Sequence, residues 1–419
     1  MLTILKMAWR NIFRYRSRTT ITLVSIVVSV FIAILVDAFL MGVFTQSEVN
    51  MLSYECSEVV VYADGYLEKK ELFPADIVIE SDTRNQMESA FRKEGIDYSP
   101  QYRTTAELVF YDEDADFEGT LNTILLGVNP NMDSNVFLRK EGIETGEWLE
   151  EGDDGIVVGA GIAGKLGLEV GDILTVECKG MSGFAQTMDV LVKGIMNTEN
   201  TTFNASYVLM SLDQMDAYLE LDGAVNMYAI SDGKLSRASD SFTEKVRRVL
   251  SGIEGIQVYD FEEDNAGYMA VLNGDKGGSY MVLVFLFIIA GAGIVNTMVM
   301  SVLERRKENA MLRAMGFKAR TIRILFLTEG MIVGVIGSIL GTLLGALVNY
   351  PFARFGIDLS NLMDGVDMGY RISFVFKSAW SSHSFVSIPI LAVILSTLAS
   401  FIPVSRVNKG EIAATLRKV

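Results

Sequence analysis

The sequence predicts a multi-pass α-helical membrane protein with four transmembrane helices, arranged one plus three, and a large α+β extracytoplasmic domain between helices 1 and 2. Three observations predict it. Four apolar runs, residues 20–44, 280–303, 324–348 and 385–404, are each long enough to cross a bilayer, which takes about 20 residues at a rise of ~1.5 Å. Between the first two runs, residues 45–279 hold 44 acidic and 17 basic residues, a net charge of −27. The whole chain carries −16, so the remainder is +11, and its basic residues gather at the span ends.

Composition excludes several functions. With 50% hydrophobic residues, 21% charged residues, 6 prolines and a mean hydropathy of +0.31, the chain is neither disordered nor an ordinary soluble domain. A pI near 4.7 argues against nucleic acid as a partner, because phosphate recognition needs a basic face. One histidine, His383, and two cysteines, Cys56 and Cys178, cannot furnish a zinc cluster, a Ser-His-Asp triad or an iron–sulfur site. No catalytic residue, metal or bound cofactor is therefore expected in this chain.

Residues 1–19 form a basic amphipathic segment with Lys6, Arg10, Arg14, Arg16 and Arg18 and no acid. Run 20–44 exceeds the roughly 7–15 apolar residues of a cleavable signal, and no small-x-small site follows it, so it reads as a retained anchor. Thr22, Ser25 and Ser29 make a polar seam suited to a helix partner. The loop 304–323 holds seven basic residues against two acidic ones, and the tail 405–419 adds Arg406, Lys409, Arg417 and Lys418. Lysine and arginine near span ends mark the cytoplasmic side, which places both termini and this loop inside and residues 45–279 and 349–384 outside.

In the outer stretch, alternating or β-branched runs at 58–62, 106–111, 120–128, 155–158, 173–177, 190–195, 207–210 and 227–230 read as strands. Helical patterns occupy 83–94, 212–219 and 236–250, the last with Ser236 as its cap and Leu235, Phe242, Val246, Val249 and Leu250 on one side. These 235 residues suffice for one core or two smaller ones, and two lobes are expected. Cys56 and Cys178 fall in an oxidising compartment that permits a disulfide; two buried free thiols are the other reading.

The segment Gly159-Ala-Gly161-Ile-Ala-Gly164-Lys165-Leu166 fits the dinucleotide pattern G-x-G-x-x-G and, but for Leu166 in place of Ser or Thr, the phosphate loop. The magnesium-binding hydroxyl is missing, Gly167 and Gly171 cut short any following helix, and the segment lies outside, where ATP is scarce. It reads instead as a short helix between strands, with Gly167 and Gly171 in turns before Asp172.

In the third span Gly337, Gly341 and Gly345 recur every four residues beside a row of Gly330, Gly334 and Ser338, which clears a helix face for close backbone approach. Two carboxylates lie within spans, Asp37 near the outer end and Glu329 about two turns from the cytoplasmic end. Leaving an acid in lipid costs at least ~2.5 kcal/mol, so both read as packing or interfacial groups that reach polar surroundings, with an ion pathway as the alternative. Four spans make a poor pathway alone, so a dimer or pseudo-dimer is expected.

After the second span, Glu304-Arg-Arg-Lys-Glu308-Asn-Ala-Met311-Leu312-Arg313-Ala-Met315-Gly316-Phe317 reads as a helix ended by Gly316. Met311, Leu312 and Met315 form its apolar face, while Arg305, Arg306 and Arg313 offer charge. Such a helix can lie on lipid headgroups or enter a groove on a cytoplasmic partner, and adaptable methionines favour the partner.

Four segments together resemble the MacB/FtsX-type permeases, the type VII ABC transporters that include lipoprotein-releasing permeases. They are Ala8-Trp9-Arg10-Asn11-Ile12, Leu166-Gly-Leu168-x-Val170-Gly171-Asp172, Asn296-Thr-Met-x-Met300-Ser-Val-x-Glu304-Arg305-Arg306-x-Glu308 and Leu312-Arg313-Ala-Met315-Gly316. The resemblance spans nearly the whole chain. It implies that Glu304, Arg305, Arg306, Glu308, Met311, Leu312, Arg313, Met315 and Gly316 belong to a coupling helix seated on a separate cytoplasmic ABC ATPase subunit, which alone uses ATP and Mg. It also implies a porter-like outer lobe split by a strand-rich lobe at about 132–210, and a second permease copy or homologous permease as partner. The implied function is that of a non-catalytic inner-membrane permease subunit. It would turn ATP hydrolysis into extracytoplasmic movement, or mechanotransmission, that extracts or exports an amphipathic substrate such as a lipoprotein, lipid or peptide. The alternative is an FtsX-like regulator of a cell-wall hydrolase acting through the outer domain. Spans rich in glycine packing but poor in polar lining suit a lever better than a pore.

Overall fold

The computed structural model describes residues 2–14, 16–112, 117–181, 183–234, 236–359 and 370–407; Leu235, Lys409, Arg417 and Lys418 lie outside them. The chain divides into two compact units, one of Met1–Val43, Leu272–Leu359 and Val375–Val419, the other of Phe44–Val271 and Ser360–Phe374. Among the described residues, four helices are long and apolar enough to cross a membrane: Thr19–Glu55, Ala266–Glu304, Ala319–Phe355 and His383–Phe401.

Helix α1 (Leu2–Arg14) precedes α2 (Arg16–Asn50). Ala8 and Ile12 of α1 are buried, whereas Leu5, Trp9 and Phe13 form an exposed stripe, with the Trp9 and Phe13 rings edge to face at 5.2 Å. Two apolar faces on one basic helix suit a position between protein and lipid headgroups. In α2 the buried stripe is Thr22, Ile26, Val30 and Ile34. Of the expected seam, Thr22 lies in this stripe, whereas the Ser25 and Ser29 hydroxyls donate to the Ile21 and Ser25 carbonyls of their own helix.

The second unit contains α3 (Tyr66–Lys69), α4 (Ser81–Glu94), α5 (Pro130–Val136), α6 (Ala160–Leu166), α7 (Thr201–Ser206), α8 (Leu212–Leu219), α9 (Asp240–Leu250) and α10 (Phe261–Asp264). Its strands are β1 (Val59–Ala63), β2 (Asp97–Asp112), β3 (Phe117–Val128), β4 (Ile143–Gly146), β5 (Gly155–Gly159), β6 (Ile173–Lys179), β7 (Ala185–Met196), β8 (Tyr207–Ser211), β9 (Met227–Ser231) and β10 (Ile256–Asp260). They join in the order β10-β1-β9-β2-β3-β8-β5-β7-β4, and β6 pairs with both β2 and β7. Following the pairs from β2 through β3, β8, β5, β7 and β6 returns to β2, so six strands close into a ring and hide their edges.

Strand β2 belongs to two structures at once. Residues 97–101 pair with β9 in an open sheet with β1 and β10, and residues 106–109 pair with β6 in the ring. The ring takes in the β2–β3 hairpin, part of it upstream of residue 132, and one continuous core runs from Val59 and Tyr228 to Val176, Val190 and Val208. Helix α9 begins at Asp240, not 236, because Ser239 caps it by accepting from Phe242 N. Cys56 and Cys178 are both buried free thiols.

The glycine-rich segment is a strand and a short helix. A Cβ on Gly159 would run into the Asn204 backbone, and one on Gly161 would come within 2.9 Å of Ala205 Cα, so these glycines admit α7. Gly167 and Gly171 take φ of +66° and +103° in the turns that follow.

The chain then returns to the first unit through α11 (Ala266–Glu304), α12 (Arg306–Ala314), α13 (Ala319–Phe355), the two-residue strands β11 (Ile357–Asp358) and β12 (Val375–Phe376), and α14 (Ile388–Val407). Small residues sort the neighbours of α13. A Cβ on Gly337, Gly341 or Gly345 would come 2.7, 2.8 and 3.0 Å from Ile26, Val30 and Ile34 of α2. Gly330 and Gly334 instead face Ser400 and Ser396 of α14. Asp37 is fully buried, accepting from Ser384 Oγ at 2.6 Å with His383 Nδ1 at 3.3 Å, so the polar surroundings it reaches are protein side chains.

Candidate coupling site

Helix α11 stops at Glu304 and α12 starts at Arg306, leaving Arg305 at the break with φ −89° and ψ 14°. That break turns the Arg305 side chain inward. Arg305 is 5% exposed; its Nη1 lies 2.8 and 3.1 Å from the Glu329 carboxylate oxygens, and its guanidinium sits 5.0 Å over the Phe326 ring. Asn11 Nδ2 donates to the same carboxylate at 2.6 Å. Glu308 stands between Arg305, at 3.4 Å, and Arg14, at 3.6 Å. One intramembrane acid thus ties α1, the root of α12 and α13 together, and of the packing and interfacial roles expected for Glu329 the structure shows the packing one.

The far end of α12 closes as a Schellman motif. Gly316, at φ +96°, donates to Arg313 O at 3.0 Å, and Phe317 N donates to Leu312 O at 3.1 Å. Leu312 and Phe317 line one small apolar niche with Ile4, Met7 and Ile322. Of the three residues expected on the apolar face, Leu312 packs against Val302, Ile322 and Phe326. Met311 and Met315, one turn apart, remain 52% and 68% exposed. Glu304 is also exposed, Arg313 is half-buried, and Arg306 contributes the first backbone position of α12. Of the arginines expected to offer charge, Arg305 directs its own to Glu329 and holds the helix.

The sequence reading missed Asn11, Arg14 and Phe326 as parts of this bracket. A lone acid in a span signals that a buried donor exists, but not which one.

Chemically, the arrangement is a rigid mount for a short helix that presents two flexible thioethers. Four membrane helices split one plus three around a sheet-rich domain, with a mounted amphipathic helix after the second, define a membrane subunit whose inserted domain is its largest part. The model of the MacB-like periplasmic core domain matches residues 19–244, more than half of the chain, and that of the FtsX-like permease C-terminal region matches residues 280–412. The chain belongs to the MacB/FtsX-type family of ABC transporter permeases.

It is 24% identical to an ABC transporter permease of Methanocaldococcus jannaschii over 66% of this chain and 65% of that protein, just under two thirds of its length. It is 21% identical to the lipoprotein-releasing system transmembrane protein LolC of Neisseria meningitidis over 70% of this chain and 72% of LolC. The periplasmic region of MacB from Actinobacillus actinomycetemcomitans aligns with 51% of this chain and 92% of its own, at a TM-score of 0.34 and 12% identity.

Proposed function

We propose that this permease couples a separate cytoplasmic ABC ATPase to movement of its inserted domain, and so extracts or exports an amphipathic substrate such as a lipoprotein, lipid or peptide. The partner binds ATP and Mg; the chain itself is a non-catalytic subunit. In this reading both termini and α12 lie on the cytoplasmic side of the inner membrane, the inserted domain lies outside, and a second permease copy or homologous permease completes a dimer. The observation that carries it is the mounting of α12: Arg305 and Leu312 fix the helix from within while Met311 and Met315 stay exposed. A thioether pair on a rigid helix suits insertion into a partner's groove. The basic span ends support the orientation, and the name of LolC supports a lipid-bearing substrate.

The test is co-purification of the ATPase with Met311→Asp/Met315→Asp, extracted from membranes in mild detergent. Loss of the ATPase, with the permease still in the membrane, is the expected result. Retention at the wild-type level would refute the coupling role of α12.

A further inference from the structure

A helix leaves its last carbonyls without intrahelical donors, and its C-terminal end carries partial negative charge. Helix α2 runs into a wider π-type turn, Met51–Glu55, and three successive carbonyls there find donors elsewhere in the same unit. Ser53 O accepts from Leu138 N at 2.9 Å, Tyr54 O from Arg139 Nε at 2.7 Å, and Glu55 O from Arg103 Nη2 at 2.7 Å. Both arginines are buried, Arg139 completely.

Each cation is itself held. Arg139 Nη1 pairs with buried Asp133 at 2.8 Å, and its guanidinium lies 3.7 Å over the Phe137 ring. Arg103 stands on β2, the strand shared by the ring and the open sheet, and also donates to Gln101 Oε1 at 3.1 Å. On another side Asn50 Nδ2 donates to the carbonyls of Glu199 and Arg371, both at 2.8 Å, and Arg371 Nε returns to the Glu55 carboxylate at 3.3 Å. Bonds from a buried cation are about twice as strong as neutral ones, and the planar guanidinium fixes their direction.

We infer that Arg139 and Arg103 are positioning residues of a socket through which displacement along α2 reaches β2 and the α5 segment, so the chain does not hinge at residue 55. The inference rests on the coupling reading above and deepens it. A purely structural role would lower basal order in the variants and leave their response to nucleotide unchanged.

The experiment uses the full chain with its ATPase in lipid nanodiscs. Hydrogen exchange is read without nucleotide and again with the ATPase trapped by ATP and vanadate. The wild type should change protection at residues 47–55 and also at 97–105 and 130–142. In Arg139→Gln the change at 47–55 should persist while the other two are lost. Asn50→Ala, which strands no buried charge, should show a partial loss in a folded protein. If 97–105 and 130–142 respond in both variants as in the wild type, the socket is overturned, however far basal protection has fallen. A wild type that responds in none of these segments overturns the coupling reading and the socket with it.

Discussion

Arg305 and Glu329 stand 24 residues apart in the chain and 2.8 Å apart in the structure, both nearly sealed from solvent. Desolvating two ions costs about as much as their attraction returns, so an intact buried pair adds little net stability, whereas a halved one leaves an uncompensated charge. Glu329→Ala is expected to destabilise by about 3–5 kcal/mol, and Arg305→Met/Glu329→Met to recover most of that. Thermal unfolding of the solubilised protein in a double-mutant cycle measures the coupling. Strictly additive losses would show that the two side chains do not hold each other.

The glycine row of α13 makes a graded prediction. A Cβ on Gly341 meets both Val30 Cβ at 2.8 Å and the Val27 carbonyl oxygen at 2.9 Å, and backbone cannot step aside. The three atoms nearest a Cβ on Gly345 all belong to the Ile34 side chain, the first at 3.0 Å. Gly341→Ala should cost about 1–3 kcal/mol, Gly345→Ala clearly less. Val30→Ala in the Gly341→Ala background should return only part, since the Val27 oxygen remains. The same unfolding assay ranks all three.

Gly316 is legible in the sequence because a helix end that needs positive φ leaves a local signature, glycine after the last periodic residue. The membrane spans are legible for a similar reason: lipid demands an uninterrupted apolar run. Arg305 is not. It occupies the break between two helices, where no single period assigns a face, and its partner lies in another span. The ring is hidden for the same physical cause, since the β2–β6 pairing joins segments some 70 residues apart and depends on no local pattern. Ser236 and Ser239 are equally good caps by residue type, and only the packing of α9 chooses between them.

Two glycines of the phosphate-loop-like segment should behave in opposite ways. Gly164 lies in α6 with open space at its Cβ position, so Gly164→Ala should stabilise by about 0.4–1 kcal/mol by restricting the unfolded chain. Gly159→Ala should destabilise strongly, because the Asn204 backbone occupies the space its methyl needs. Denaturant titration followed by the fluorescence of Trp148, which sits in the same unit, reads both. A phosphate cradle would instead show Gly164→Ala impairing nucleotide binding to the purified chain.

Cys178 on β6 lies opposite Ala106 of β2 inside the ring, and burial pushes its thiol from an ordinary value of 9.0 up to about 11. The folded domain therefore holds this proton more tightly than the unfolded chain does. The stability that comes with it is complete below pH 9.0 and is lost as pH rises through about 11. Burial raises the Tyr102 and Tyr228 phenols as well, which extends the loss to still higher pH. Unfolding free energy measured across alkaline pH should fall in that window, and Cys178→Val should flatten its lower part. At neutral pH the same burial should keep a maleimide off Cys178 until denaturant is added. Rapid labelling of the native protein would place the thiol at the surface and contradict a closed ring.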